Sequence, residues 1–219
     1  MILIPVKNLS TAKQRLASLL SQAVRTELAR AMLLDVLESI ARAPSLATEV
    51  ALVTSDPYAI DLAKGFDFQT IPDTANTSET DAIEMATQVC ESRGVESTLV
   101  IPADIQLIEA TELERILDAA PEQGSVLVPA ADGRGTNAVF RRPAALFPLR
   151  FGNDSFTPHL AAARATGNPC TVLSLSTIAL DIDNPSDLRA LAQAPGERRS
   201  QRLVRQWNLG DYLLTHEIA

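Results

Sequence analysis

Histidine and cysteine are scarce in this 219-residue chain, with two of each. Cys90 and Cys170 lie far apart in sequence, with no C-x-x-C pair and no histidine at ligand spacing. That excludes a zinc knuckle and a disulfide scaffold, and leaves two buried thiols in a reducing compartment as the simplest reading. His159 falls inside a helical stretch, where a packing or surface role suits it better than general-base work, and His216 sits in the C-terminal tail with no role assigned. Neither G-x-x-x-x-G-K-[ST] nor G-x-G-x-x-G occurs, so the P-loop and dinucleotide fingerprints are missing. No run approaches the ~18 apolar residues of a membrane span. The opening Met-Ile-Leu-Ile-Pro has no basic segment before it and reads directly as a strand, so the expectation is a cytoplasmic protein with no membrane partner. Positive charge is also in deficit, 19 Lys plus Arg against 27 Asp plus Glu, for a net charge of −8. A field of that sign opposes attachment to nucleic acid, so any anionic ligand must be held by a local basic patch.

What is present is a regular alternation of strand and helix signals. Residues 2–6 are short, apolar and bounded by Lys7-Asn8, as expected of a strand buried on both faces. From Ser21, Val24, Leu28, Met32, Val36 and Ile40 recur every fourth residue, with Leu33 and Leu37 widening the stripe and Arg25, Glu27 and Glu38 falling elsewhere. Residues 50–53 predict a second strand, and Asp56-Pro57 supplies a cap and a proline for the next helix. Residues 66–71 read as a third strand. Ser78 with Asp81 opens a helix through about Cys90. Strands follow at 98–101, 125–128, 136–140 and 170–175, with a short one at 179–182, and helices at 111–119 and 156–166. Asn184-Pro185-Ser186-Asp187 then caps a helix to about Ala192. The pattern predicts an α/β fold with a mainly parallel sheet and helices on both faces. Residues 1–194 form one domain in this reading. Residues 195–200 read as a linker to a C-terminal arm that carries the sole tryptophan, Trp207, and either packs back on the domain or meets a partner chain, as in a homodimer.

In open α/β sheets, ligands bind beyond the carboxyl ends of the strands. The segment after the first strand, K-N-L-S-T-A-K-Q-R, places Lys7, Lys13 and Arg15 where a polyphosphate would be held, although Lys13 and Arg15 also suit a solvated helix face. Asp104 follows the fourth strand. Asp181 and Asp183 stand two apart on the short extended segment, which would aim both carboxylates one way and suit Mg²⁺; Asp183 equally suits the dipole of the following helix. Two polar loops remain, Asp132-Gly133-Arg134-Gly135-Thr136-Asn137 and Arg150-Phe151-Gly152-Asn153-Asp154-Ser155, the second ahead of a helix whose free N–H groups suit an anion.

The ordered set I-P-V-K-N-L-S-T-A-K-Q-R-L, A-M-L-L-D-V-L, V-I-P-A-D-I, D-G-R-G-T-N-A, R-F-G-N-D-S-F and A-L-D-I-D-N-P-S-D-L resembles the 2-phospho-L-lactate guanylyltransferase family of coenzyme F420 biosynthesis, which includes phosphoenolpyruvate and 3-phospho-D-glycerate guanylyltransferases. The match spans roughly residues 2–191. The resemblance implies a nucleotidyltransferase-like domain, Rossmann-like and of the glycosyltransferase-A type, that uses GTP and Mg²⁺ to guanylylate a small phospho-acid and release pyrophosphate. It also implies Asp104 and Asp181 as metal ligands with Asp183 close by, and Thr136 or Asn137, Gly152 and Ser155 on the acceptor, and the loop with Lys7, Lys13 and Arg15 then suits the nucleotide's polyphosphate and the departing pyrophosphate. Ser78-Glu79-Thr80-Asp81 stands where the family usually carries a Leu-Asn pair, which leaves the acceptor open among the three. On the helix that follows, Met85, Val89 and Cys90 suit the core better than a pocket wall. The competing readings are another nucleotidyltransferase, of sugar-phosphate, cytidylyl or molybdopterin type, and a non-catalytic nucleotide-binding protein.

Overall fold

The computed structural model describes residues 1–43, 49–74, 77–152 and 154–207. Among them one sheet of seven strands carries helices on both faces. The strands are β1 (Ile2–Val6), β2 (Val50–Thr54), β3 (Gln69–Ile71), β4 (Thr98–Val100), β5 (Gly124–Pro129), β6 (Thr136–Arg142) and β7 (Cys170–Val172), in spatial order β3-β2-β1-β4-β6-β5-β7. All neighbours pair in parallel except β6, which runs antiparallel to β4 and β5. The helices are α1 (Gln22–Ala41), α2 (Pro57–Gly65), α3 (Glu79–Ser92), α4 (Ala110–Asp118), α5 (Phe156–Ala165), α6 (Pro185–Gln193) and α7 (Arg199–Gln206). None is long and apolar enough to cross a membrane.

Strand side chains alternate between two cores, as the two-residue period requires. Ile2, Ile4, Val6, Leu52 and Leu99 pack with Leu33 and Leu37 of α1, Ala59 of α2 and Leu113 of α4. Leu3, Ala51, Val53 and Val100 face the opposite way, onto Ala82, Ile83 and Cys90 of α3 and Ala163 of α5. A third cluster lies behind α1, where Leu28 and Met32 meet Ile182, Leu188 and Leu191 and Val204 of α7. Helix α1 is therefore enclosed on both sides. That is why its arginine at position 25, read as part of the solvent face, is 6% exposed, its guanidinium donating to the Leu20 carbonyl and the Gln22 amide.

Four further expectations change in the structure. The third strand is only Gln69–Ile71, because Phe66 closes α2. β7 ends at Val172. No strand forms over 179–182, where a backbone bond from Ala131 to Ala179 replaces a ladder. Residues 195–200, which composition marks as a linker, are pinned instead. The buried Asp35 carboxylate accepts from the N–H of Arg199 and from the N–H and hydroxyl of Ser200, and Arg198 donates to the carbonyl of Ile108 and the hydroxyl of Ser39. Through Trp207 the arm packs back onto α1 and α6; the rest of it, with His216, lies outside the described residues.

Candidate active site

β2 and β3 lie to one side of β1 and β4 to the other, so the chain reverses direction across the sheet between β1 and β4. The loops leaving these two strands part at that point and leave a crevice, the usual place for a ligand in a sheet of this kind. A cleft occupies it in two joined halves of about 540 and 460 Å³, which share Arg15, Glu79, Pro102, Asp104 and Asp183 as border.

The first half is built on residues 7–15. Two short 3-10 turns, Leu9–Thr11 and Gln14–Leu16, stand where a regular helix start was expected. Leu9 and Leu16 anchor them in the core, and the Asp56 carboxylate, while capping α2, accepts from the Leu9 N–H at 3.0 Å. Between the turns Lys13 takes a left-handed backbone conformation, φ 55°, which turns its side chain inward. Its Nζ lies 2.5 Å from Asp104 Oδ2 and 3.5 Å from Asp183 Oδ1, with the side chain only 9% exposed, so the solvated-face reading fails for Lys13. Burial alone would lower the Lys13 pKa, but Asp104 and Asp183 outweigh it and hold it above the ordinary 10.5. Arg15 reaches Asp183 Oδ2 at 2.8 Å. Lys7 lines the same half, exposed.

The second half is bordered by the two polar loops. Arg134 forms a two-point ion pair with Asp154, and the Arg134 carbonyl accepts from Phe156 N–H, using the first free donor of α5. Ser155 precedes α5 but its hydroxyl does not cap the helix; it donates to Thr136 Oγ1 at 3.2 Å, and Thr136 also bonds His159 Nδ1. His159 Nε2 accepts the N–H of Arg150, so the ring is 1% exposed and packs both loops together, never reaching the surface. Gly152 has φ +126°, a conformation that side chains avoid, and open space above it. Asn153 lies outside the described residues.

Asp181 enters this half on an irregular segment, which two groups hold. Glu112 of α4, a buried carboxylate, accepts from the N–H groups of Thr177 and Ile178, while the Asn137 amide donates to the carbonyls of Ile178 and Ala179 and to Asp181 Oδ1 at 3.4 Å. Burial first and Asp104 second push the Asp181 carboxyl above its ordinary range, against the Asn137 bond. Capping of α6 falls to Asp187, whose Oδ2 accepts from Asp183 and Asn184 N–H, and this leaves the Asp183 carboxylate to Lys13 and Arg15.

The residues expected to serve nucleotide, metal and acceptor thus border one cleft: Lys7, Lys13, Arg15, Asp104, Asp181, Asp183, Thr136, Asn137, Gly152 and Ser155. Of two further acids, Glu112 was not anticipated, and Glu79 was expected only as part of the 78–81 stretch where the resemblance breaks. Glu112 acts from outside as a brace, and Glu79 lines both halves. Met85, Val89 and Cys90 pack in the α3 core.

The sheet is mainly parallel, and its switch point carries a basic loop that faces acidic side chains. The fold is shared with a protein from Desulfovibrio desulfuricans G20 assigned to the nucleotide-diphospho-sugar transferases (TM-score 0.78, 18% identity, 96% of each chain). It is also shared with a CMP:2-keto-3-deoxy-manno-octonic acid synthetase (TM-score 0.59, 14% identity, 94% of this chain and 98% of the other). The sequence goes further: the profile of the family described as guanylyl transferase CofC like matches residues 1–209, and the chain belongs to that family. Among its relatives, the phosphoenolpyruvate guanylyltransferase of Roseiflexus castenholzii is 33% identical over 205 residues, 94% of this chain and 93% of the relative. The 2-phospho-L-lactate guanylyltransferase of Methanothermobacter thermautotrophicus is 31% identical over 186 residues, 85% and 81%.

Proposed function

We propose that this chain transfers GMP from GTP to the phosphate of a small three-carbon phospho-acid, releasing pyrophosphate, as a cytoplasmic step in coenzyme F420 biosynthesis. The observation that carries the reading is the Lys13–Asp104–Asp183–Arg15 array at the β1–β4 switch point, facing loops with polar side chains and an open glycine. An oxygen of the acceptor phosphate attacks the α-phosphorus of GTP. The bond from that phosphorus to the bridging oxygen breaks, and pyrophosphate leaves with the electron pair. An acceptor phosphate is already ionised near neutral pH, so no general base is required, which agrees with a His159 ring whose donors and acceptors are spent on structure. Lys7, Lys13 and Arg15 would hold the triphosphate and neutralise the departing charge; Thr136, Gly152 and Ser155 would border the acceptor, with Asn137 holding the Asp181 segment.

The donor set suits Mg²⁺. Mg²⁺ is bound by one or two carboxylates together with substrate phosphates, so the three-ligand protein cage that is absent among the described residues is not required. Asp104 already raises the cost of ionising Asp181, and Asp104 and Asp183 share the Lys13 ammonium in place of a cation. Asp104 and Asp181 would hold the ion, with Asp183 beside them. When bound, it supplies charge neutralisation between two anions.

Pyrophosphate release tests the reading, with each of the four nucleoside triphosphates against phosphoenolpyruvate, 2-phospho-L-lactate and 3-phospho-D-glycerate, with Mg²⁺ and with chelator. Release confined to GTP plus a phospho-acid and abolished by chelation is expected. Release with CTP in place of GTP would favour a cytidylyl enzyme, and GTP binding without release a non-catalytic protein.

A further inference from the structure

Glu79 is the first residue of α3 and borders both halves of the cleft, beside Asp104. Its position is fixed. Ser78 caps α3 through the Asp81 N–H at 3.0 Å, and Thr80 Oγ1 accepts the Phe151 N–H at 2.9 Å, tying the helix start to the loop that carries Gly152 and Ser155. The side chain is half-buried, and among the described residues its carboxylate joins no hydrogen bond or ion pair. Lys13, which lines the same cleft, is committed to Asp104 and Asp183. An unpaired carboxyl beside carboxylates, in a cleft meant for anions, is costly unless a ligand brings it a donor.

The phosphate and carboxylate of a phospho-acid bring only acceptor oxygens near neutral pH. A free alcohol brings an O–H. We infer that Glu79 is a specificity-determining residue that accepts a hydrogen bond from a hydroxyl of the acceptor, and so selects a hydroxylated phospho-acid over an enol phosphate, which has no donor to offer. The inference rests on the guanylyl-transfer reading. A site built around a substrate hydroxyl rejects the analogue lacking it, because its own polar group is then left unpaired.

The test compares kcat/KM for 3-phospho-D-glycerate and phosphoenolpyruvate at saturating GTP, in the wild-type protein and in Glu79→Leu, which removes the carboxyl at similar size. The wild type is expected to favour the hydroxylated acceptor about tenfold or more, and Glu79→Leu to bring the ratio to within about twofold of unity or invert it, with the KM for GTP unchanged. A melting curve for each variant checks folding, and Glu79→Ala takes the place of Glu79→Leu if the latter unfolds. Wild-type preference for phosphoenolpyruvate overturns the inference, as does a ratio that survives loss of the carboxyl. A change in the KM for GTP with the acceptor ratio intact overturns it too and places Glu79 on the nucleotide. Pyrophosphate release with 2-phospho-L-lactate alone, which has no free hydroxyl, overturns the inference and keeps the guanylyl-transfer reading, whereas release with none of the three acceptors removes that reading itself.

Discussion

At the scale of single residues the account turns on side chains that face one another across the β1–β4 crevice. Asp104→Asn and Asp181→Asn each remove a carboxylate charge with little change of shape, and each should lower turnover ~10²-fold or more while the melting temperature holds. Near-wild-type rates at saturating Mg²⁺ would take that residue out of the site. Lys13→Met keeps the apolar stem and loses the ammonium, so GTP affinity measured by calorimetry should fall about tenfold or more. Unchanged affinity would limit Lys13 to balancing Asp104. Lys13 and Asp104 are legible in the sequence because they stand in the loops that leave the buried strands β1 and β4, at the ligand edge of the sheet; Asp181 stands out only through its spacing of two from Asp183 and the resemblance. Glu79 and Glu112 are not legible in that way. A glutamate in the first turn of a helix is what helix electrostatics favours anyway, so its type carries no signal. Only the sheet order, which brings the start of α3 beside β1 and β4, and the placing of α4 under residues 177–178 give these two acids their surroundings.

At the scale of elements, α5 and the loops before it behave as one unit through Ser155, Thr136 and His159. Ser155→Ala removes a hydroxyl that does not cap the helix. It should raise the KM for the phospho-acid roughly tenfold, leaving the KM for GTP nearly unchanged. A lowered denaturation midpoint with unaltered acceptor KM would make the hydroxyl purely structural. His159 gives the same unit a pH signature. Burial, aided by the nearby Arg141 guanidinium, lowers its pKa from the ordinary 6.5 to about 4. The unfolded chain takes up the proton more readily, so the stability that the neutral ring contributes is complete above pH 6.5 and is lost as pH falls toward about 4. His159→Gln should flatten urea-derived stability across that window; an unchanged slope would assign the acid sensitivity to other groups. Strand and helix order was legible throughout because hydrophobic period separates the two types, and caps such as Asp56 and Ser78 mark helix starts. The segment at 179–182 was misread. Its Leu180 and Ile182 alternate with acids as a strand would, but the segment has a sheet neighbour at neither side, and alternation does not report pairing.

At the scale of the whole molecule, the sheet and two helix layers set the crevice, and α7 closes the back of α1. Asp35→Ala would strand the N–H and hydroxyl of buried Ser200 and the part-buried N–H of Arg199, and should lower stability by on the order of 3 kcal/mol, read as a shift in urea midpoint. A midpoint within experimental error would show that α7 docks by apolar contact alone. The docking escaped the sequence because an eight-residue segment with four polar or charged residues ahead of Leu203-Val204 and two after them reads as solvated until α1 is seen to be enclosed. The central claim concerns the bond that is made, and phosphorus NMR of a reaction containing GTP, Mg²⁺ and a phospho-acid observes it directly. The account predicts a new pair of coupled diphosphate resonances, joining GMP to the acceptor phosphate, in step with pyrophosphate. Formation of GMP and pyrophosphate without that pair, or of GDP and inorganic phosphate, would contradict it.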